Sequence, residues 1–158
     1  MLRVVYLSRS HLPPDKTAAA AELGSILEAS RRNNAQAGVT GALLFTGELF
    51  AQVLEGPFAA AEAAFNRIQR DPRHSDIVVL HRGTPGAAAF DGWSMASAAA
   101  PPGIAVHPAL SPPAGSGGEA AGDAIIALLR ALLLRTPKGA GSRLPDGEAT
   151  AAEELVRP

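Results

Sequence analysis

The chain has 158 residues, 47% of them apolar and 18% charged, with a formal net charge of −1. A chain of this length buries roughly 70% of its unfolded surface and needs no metal or disulfide to hold a core. The charge balance leaves no basic excess to neutralise phosphates, which argues against general nucleic-acid binding. The absence of cysteine removes disulfides, thiol catalysis, iron–sulfur clusters and cysteine zinc sites, and suits a reducing compartment.

Residues 2–8 are rich in Val, Leu and Tyr without alternation, the pattern of a central strand covered on both faces. Their apolar run is too short for a signal-peptide core. Thr17 is placed to cap a helix running to about Arg32, with Leu23, Ile26, Leu27 and Ser30 on one face. Val39–Phe45 and Leu49–Glu55 read as strands around the hairpin signal Thr46-Gly47-Glu48. Gly56-Pro57 opens a second helix with Phe58, Ala61, Phe65 and Ile68 on one side, ending by Asp71-Pro72. Residues 76–82 form a fourth strand and 90–96 a fifth. The order β-α-β-β-α-β, with both helices on one face of the sheet, predicts an α+β, ferredoxin-like fold with an extra strand. In it the first and third strands are neighbours, which brings Tyr6 and Gln52 to adjacent strands.

Composition changes near residue 100. Residues 1–98 are expected to form one domain, 99–118 a Pro/Gly/Ala-rich linker, 119–135 a C-terminal helix and 136–158 a flexible tail. The run AIIALLRALLL is interrupted by Arg130 and too short to span a bilayer. A soluble, cytoplasmic protein with no membrane partner is expected.

Several polar residues stand where apolar ones would be cheaper. Gln52 interrupts Leu49-Phe50-Ala51-Gln52-Val53-Leu54. It is either an edge-strand residue reaching solvent or a buried amide that needs partners. Asn34 continues the stripe of Leu23, Leu27 and Ser30, and reads equally as a helix C-cap or as a ligand contact; Asn33 fits the cap as well. Tyr6, the single tyrosine, lies mid-strand with a hydroxyl to satisfy. Arg67 and Asp71 are spaced i,i+4, as in a surface ion pair. His74 sits in the turn after the second helix, with no second ligand at metal spacing. Trp93 and Met95, two apart, share a face if their segment is a strand. Glu55 follows an apolar strand without a second carboxylate to work with, and no phosphate loop, GxSxG turn or HExxH appears.

At these positions the sequence resembles the BLUF domains, blue-light sensors using FAD. The blocks are Tyr6-Leu7-Ser8, Ser30-Arg31-Arg32-Asn33-Asn34 with Gly38–Leu44, Phe50–Gly56 ("FxQxLEG"), Asp71-Pro72-Arg73-His74 ("DxRH") and Phe90–Met95 ("FxxWxM"). They stand in family order, and the resemblance as a whole runs from about Leu2 to Ala98. The resemblance implies a non-covalently bound flavin, FAD or alternatively FMN. It implies a photoswitch of Tyr6, Gln52, Trp93 and Met95, with Tyr6 donating an electron and proton and Gln52 switching its hydrogen bonds. Asn33, Asn34, Gln52, Arg67, Asp71 and His74 would bind the cofactor, and no enzymatic activity is implied. One departure is Gly86-Ala87-Ala88-Ala89, where the family often carries a basic residue.

The C-terminal helix presents Ala124, Ile125, Leu128, Leu129, Ala131, Leu132 and Leu133 as a broad apolar surface. This resembles the short BLUF proteins without an effector domain, whose tail helices pack on the sheet face opposite the flavin. It implies a homo-oligomer through this helix and a separate downstream protein partner. The alternatives are an acylphosphatase-like small hydrolase or a flavin-free interaction module on the same fold.

Overall fold

A computed structural model describes residues 1–99 and 118–135. The chain runs β1 (Leu2–Ser10), α1 (Lys16–Ala37), β2 (Thr40–Phe45), β3 (Leu49–Gly56), α2 (Phe58–Gln69), β4 (His74–Gly83), β5 (Ala96–Ala99) and α3 (Gly118–Arg135). The expected linker and flexible tail lie outside the described residues, apart from Ala99 and Gly118 at the linker's ends.

The five strands are ordered β4-β1-β3-β2-β5. The first four pair antiparallel, and β5 joins parallel to β2. This is the ferredoxin-like α+β arrangement with an added strand and a following helix, as the sequence predicts. β1 and β3 are neighbours, and Tyr6 stands directly opposite Gln52.

Each face of the sheet carries its own core. On one, Val4, Tyr6, Leu43, Phe50 and Leu54 meet Leu27 of α1 and Ala61, Ala64 and Phe65 of α2. On the other, Val5, Leu7, Ala42, Leu44, Ala51 and Val53 meet Ile125, Leu129 and Leu132 of α3. Burial on both faces explains why β1 and β3 read as continuous apolar runs. α3 reaches β4 through two glycines. A Cβ at Gly118 would stand 2.5 Å from the Leu80 carbonyl oxygen, and one at Gly122 would stand 3.0 Å from His81 Cβ. Ala124 and Ala131 point away from this interface and are exposed. Among the described helices, none is long and apolar enough to cross a membrane.

Several local expectations need correction. The cap of α1 is Asp15, whose carboxylate accepts from the Ala18 N–H, and not Thr17. The helix continues past Arg32 to Ala37, where Gly38 closes it in the left-handed conformation at φ 68°. Phe58 opens α2 and is 57% exposed, off the buried side held by Ala61 and Phe65. β4 begins at His74, so that histidine is a strand residue. The fifth strand begins only at Ala96. Upstream the backbone turns, with the Trp93 N–H on the Phe90 carbonyl and Gly92 at φ 77°.

Candidate functional site

Between the β1–β3 face and helices α1 and α2 lies a cavity of about 210 Å³. It is larger than the water-sized voids that native cores leave, which makes it a candidate binding space. Tyr6, Asn33, Asn34, Gln52, Arg67, Asp71 and His74 all line it, together with Ser30, Leu43, Phe50 and Arg73. Trp93 and Met95 do not.

Gln52 is buried because β3 lies inside the sheet between β1 and β2, which rules out the edge-strand reading. Its Oε1 accepts a hydrogen bond from the Tyr6 hydroxyl. Its Nε2 faces the Met95 sulfur at 3.6 Å. A primary amide carries two N–H donors, so one remains for the cavity. Burial pushes the Tyr6 phenol far above its ordinary range, and the Asp71 carboxylate adds to the effect. The phenol therefore stays protonated and donates. Its ring is held against Phe65, with centroids 5.5 Å apart.

Asn34 sits where the apolar stripe of α1 continues inward. The cap role belongs to Gly38, so the Asn34 side chain is free for the site. It is buried, and its Nδ2 donates to the Ser94 carbonyl at 2.8 Å. Its amide oxygen and second N–H remain unspent. Asn33, one residue earlier, lines the cavity from an exposed position.

His74 is fixed at both ring nitrogens. Nε2 lies 2.6 Å from the Ile68 carbonyl and Nδ1 lies 2.8 Å from Ser8 Oγ. A carbonyl can only accept, so Nε2 carries the hydrogen, and in the neutral ring the serine hydroxyl donates to Nδ1. Asp71 does not pair with Arg67. α2 ends at Gln69, so the helical i,i+4 geometry no longer applies at Asp71. Arg73 takes the carboxylate instead, through Nε at 2.9 Å and Nη2 at 2.6 Å. The side-chain hydrogen bond from Arg73 holds the Asp71 carboxyl below its usual range, against the opposing effect of burial. Arg67, exposed at the cavity rim, is left available to a ligand.

Trp93 and Met95 fall on different sides, contrary to the shared face expected of a strand. Met95 is fully buried with Tyr6 and Leu43, whereas Trp93 packs with the α3 layer. The backbone bends at Ser94, before β5 begins, and this breaks the two-residue alternation between them. Sequence reasoning also gave Glu55 and Arg31 no role, although both hold the segment that carries Met95. Each acts on backbone atoms far along the chain, a contact that leaves no mark in side-chain pattern.

The donor set fits a flavin. A flavin edge presents carbonyl oxygens and ring nitrogens that need donors and acceptors, and Gln52 and Asn34 supply both from a desolvated wall. Residues 1–96 match the family model BLUF, sensors of blue-light using FAD. The chain belongs to the BLUF family. Its N-terminal part is thus a flavin-binding blue-light sensor domain, which displaces the hydrolase reading. A BLUF protein, BlrB, in its dark-state structure shares 34% identity at a TM-score of 0.64, over 81% of this chain and 96% of that one. Photoactivated adenylate cyclase subunit beta of Euglena longa is 34% identical over 96 residues, which are 60% of this chain and 11% of that protein. The blue light- and temperature-regulated antirepressor BluF of Escherichia coli (strain K12) is 40% identical over 72 residues, which are 46% of this chain and 17% of that one. The chain therefore spans only a small part of the length of these two curated relatives.

Proposed function

We propose that the protein is a blue-light photoreceptor in which Tyr6 and Gln52 are the switching pair and FAD is the flavin. The observation that carries this reading is the buried Tyr6–Gln52 hydrogen bond, with one amide N–H left over at the cavity wall. When bound, the flavin supplies light absorption and an electron acceptor. Tyr6 would pass an electron to the excited flavin and its phenolic proton toward the flavin along the Gln52 amide, since a phenol that has lost an electron is a strong acid, and would take both back when the flavin returns to its resting state. Gln52 loses its donor for that moment and can reverse which end of the amide faces Tyr6. The reversed amide is a second stable arrangement, so a brief light reaction leaves a lasting change. Asn34 and Asn33 bind the flavin's polar edge, while Arg67, Asp71 and His74 close the side toward α2. Met95 reads the amide through its sulfur, and Trp93 carries the response to the α3 layer.

The test is an absorption spectrum of the purified protein before and after blue light. A flavin band that shifts slightly to the red and recovers in darkness is expected. A flavin band unmoved by light refutes the switch.

The domain extends over residues 1–98, and the cysteine-free chain suits the cytoplasm. The output is contact with a separate protein, not catalysis, and α3 also joins copies of the chain. Its Ile125, Leu129 and Leu132 are spent on the sheet, so self-association uses the opposite side, where Leu134 is 86% exposed. Light scattering at micromolar concentration should give a dimer or larger species. A strict monomer refutes the self-association.

A further inference from the structure

The segment that carries Met95 is gripped at both ends. At its start, Glu55 is fully buried and accepts from the N–H groups of Ala89 (2.9 Å) and Phe90 (3.1 Å). Arg3 closes on the same carboxylate at 2.5 Å and holds the Ala87 carbonyl at 2.6 Å. This anchors the alanine-rich stretch Gly86–Ala89. The carboxylate has its countercharge and its hydrogen bonds, the condition under which a buried ion is tolerated. At its end, two α1 side chains take consecutive carbonyls. Asn34 donates to Ser94, and Arg31 Nε donates to Met95 at 3.1 Å.

Arg31 is the unexpected member. It is half-buried, does not line the cavity, and has no carboxylate within ion-pair distance among the described residues. A charged group withdrawn from water without a counter-ion is costly unless its hydrogen bonds are made. The acceptor Arg31 meets is the carbonyl of the very residue whose sulfur faces Gln52.

We propose that Arg31 is a positioning residue of the photoswitch: its grip on the Met95 carbonyl sets the Met95 sulfur against the Gln52 amide and so sets how fast the switched state reverts. The proposal rests on the reading of Gln52 as the switching amide. The N–H···S contact is long and weak, so its strength depends steeply on where the backbone holds the sulfur. Loosening that backbone removes a partner of the dark-state amide while leaving Tyr6, Gln52 and the cavity intact.

The test follows dark recovery after a blue-light pulse in four full-length proteins: wild type, Arg31→Met, Met95→Leu and the double variant. Arg31→Met keeps the aliphatic stem and removes the donor, and Met95→Leu is a near volume-conserving exchange. Arg31→Met should slow recovery at least about three-fold, a barrier change within the range of one weak hydrogen bond. Arg32→Met, an exposed neighbour, should recover as wild type does. In the Met95→Leu background the Arg31 substitution should have no further effect, because no sulfur remains to be placed. A purely structural role for Arg31 would instead change recovery equally in both backgrounds, and that result overturns the proposal. So does recovery at the wild-type rate in Arg31→Met. If Arg31→Met does not load flavin, Arg31→Leu, which also lacks a donor, replaces it in the same cycle and is judged in the same way. A wild-type protein that shows no light-induced shift removes the switch itself, and the proposal falls with it. A normal wild-type shift with an inert Arg31 refutes this inference alone.

Discussion

Gln52→Leu should bind flavin and lose the light-induced red shift completely. Leucine fills nearly the same space in the centre of the sheet but neither donates nor accepts a hydrogen bond. The cavity walls contributed by α1 and α2 are untouched, so flavin stays. What disappears is the element with two orientations. Without an amide to reverse, the Tyr6 hydroxyl has nothing to exchange, and no new donor can reach a flavin carbonyl to lower the excitation energy. Stability should also fall. Tyr6 is 2% exposed, and its hydroxyl would lose its acceptor in a place water does not reach, a cost of about 1–3 kcal/mol. Spectra in the dark and after illumination, together with urea unfolding followed by circular dichroism, check both parts. A reversible shift of normal size in this variant would remove Gln52 from the mechanism.

The placing of Tyr6 beside Gln52 was legible from the element order, which makes the first and third strands neighbours. The apolar run alone left Gln52 open between an edge position reaching solvent and a buried amide, and only the position of β3 inside the sheet decides it. Asn34 was half legible. Helical spacing pointed it inward, but whether it capped the helix depended on where α1 ended, and that was decided by Gly38. Trp93 and Met95 misled because a two-residue period holds only in extended backbone, and the backbone bends at Ser94 before the strand begins. Arg67 misled for the matching reason. Asp71 lies beyond the end of α2, where a residue two positions along the turn can reach it and one four positions back does not. Glu55 and Arg31 were the hardest to read. Arg3 stands opposite Glu55 in the register that pairs Tyr6 with Gln52, but the other partners are backbone N–H and C=O groups 34 and 64 residues away, and nearly every residue type offers those groups alike. A polar side chain that serves a distant backbone is visible only once the chain is folded.

Tyr6→Phe should leave the fold and the flavin in place and abolish the photocycle. The ring is what packs, against Phe65 and in the core shared with Leu43 and Leu54, and phenylalanine keeps it. Gln52 loses its hydroxyl partner but keeps the Met95 sulfur, so the stability cost should stay near 1 kcal/mol. The chemistry has no such reserve, because Tyr6 is the chain's single tyrosine. Phenylalanine has neither a readily oxidised ring nor an O–H proton to give up, so light changes nothing at Gln52 and the amide has no reason to turn. The pH dependence of stability gives an independent check on the same hydroxyl. Burial raises the folded-state pKa of Tyr6 above that of the unfolded chain, so above about pH 10 the unfolded state binds fewer protons. The stability this group supports is fully present below that pH and drains away as pH rises further. The phenylalanine variant lacks this group and should lose less stability across the same alkaline range. Flash photolysis that still yields a recoverable red-shifted state in the variant would take the donor role away from Tyr6, and an unchanged alkaline slope would place its hydroxyl in water and not in the core.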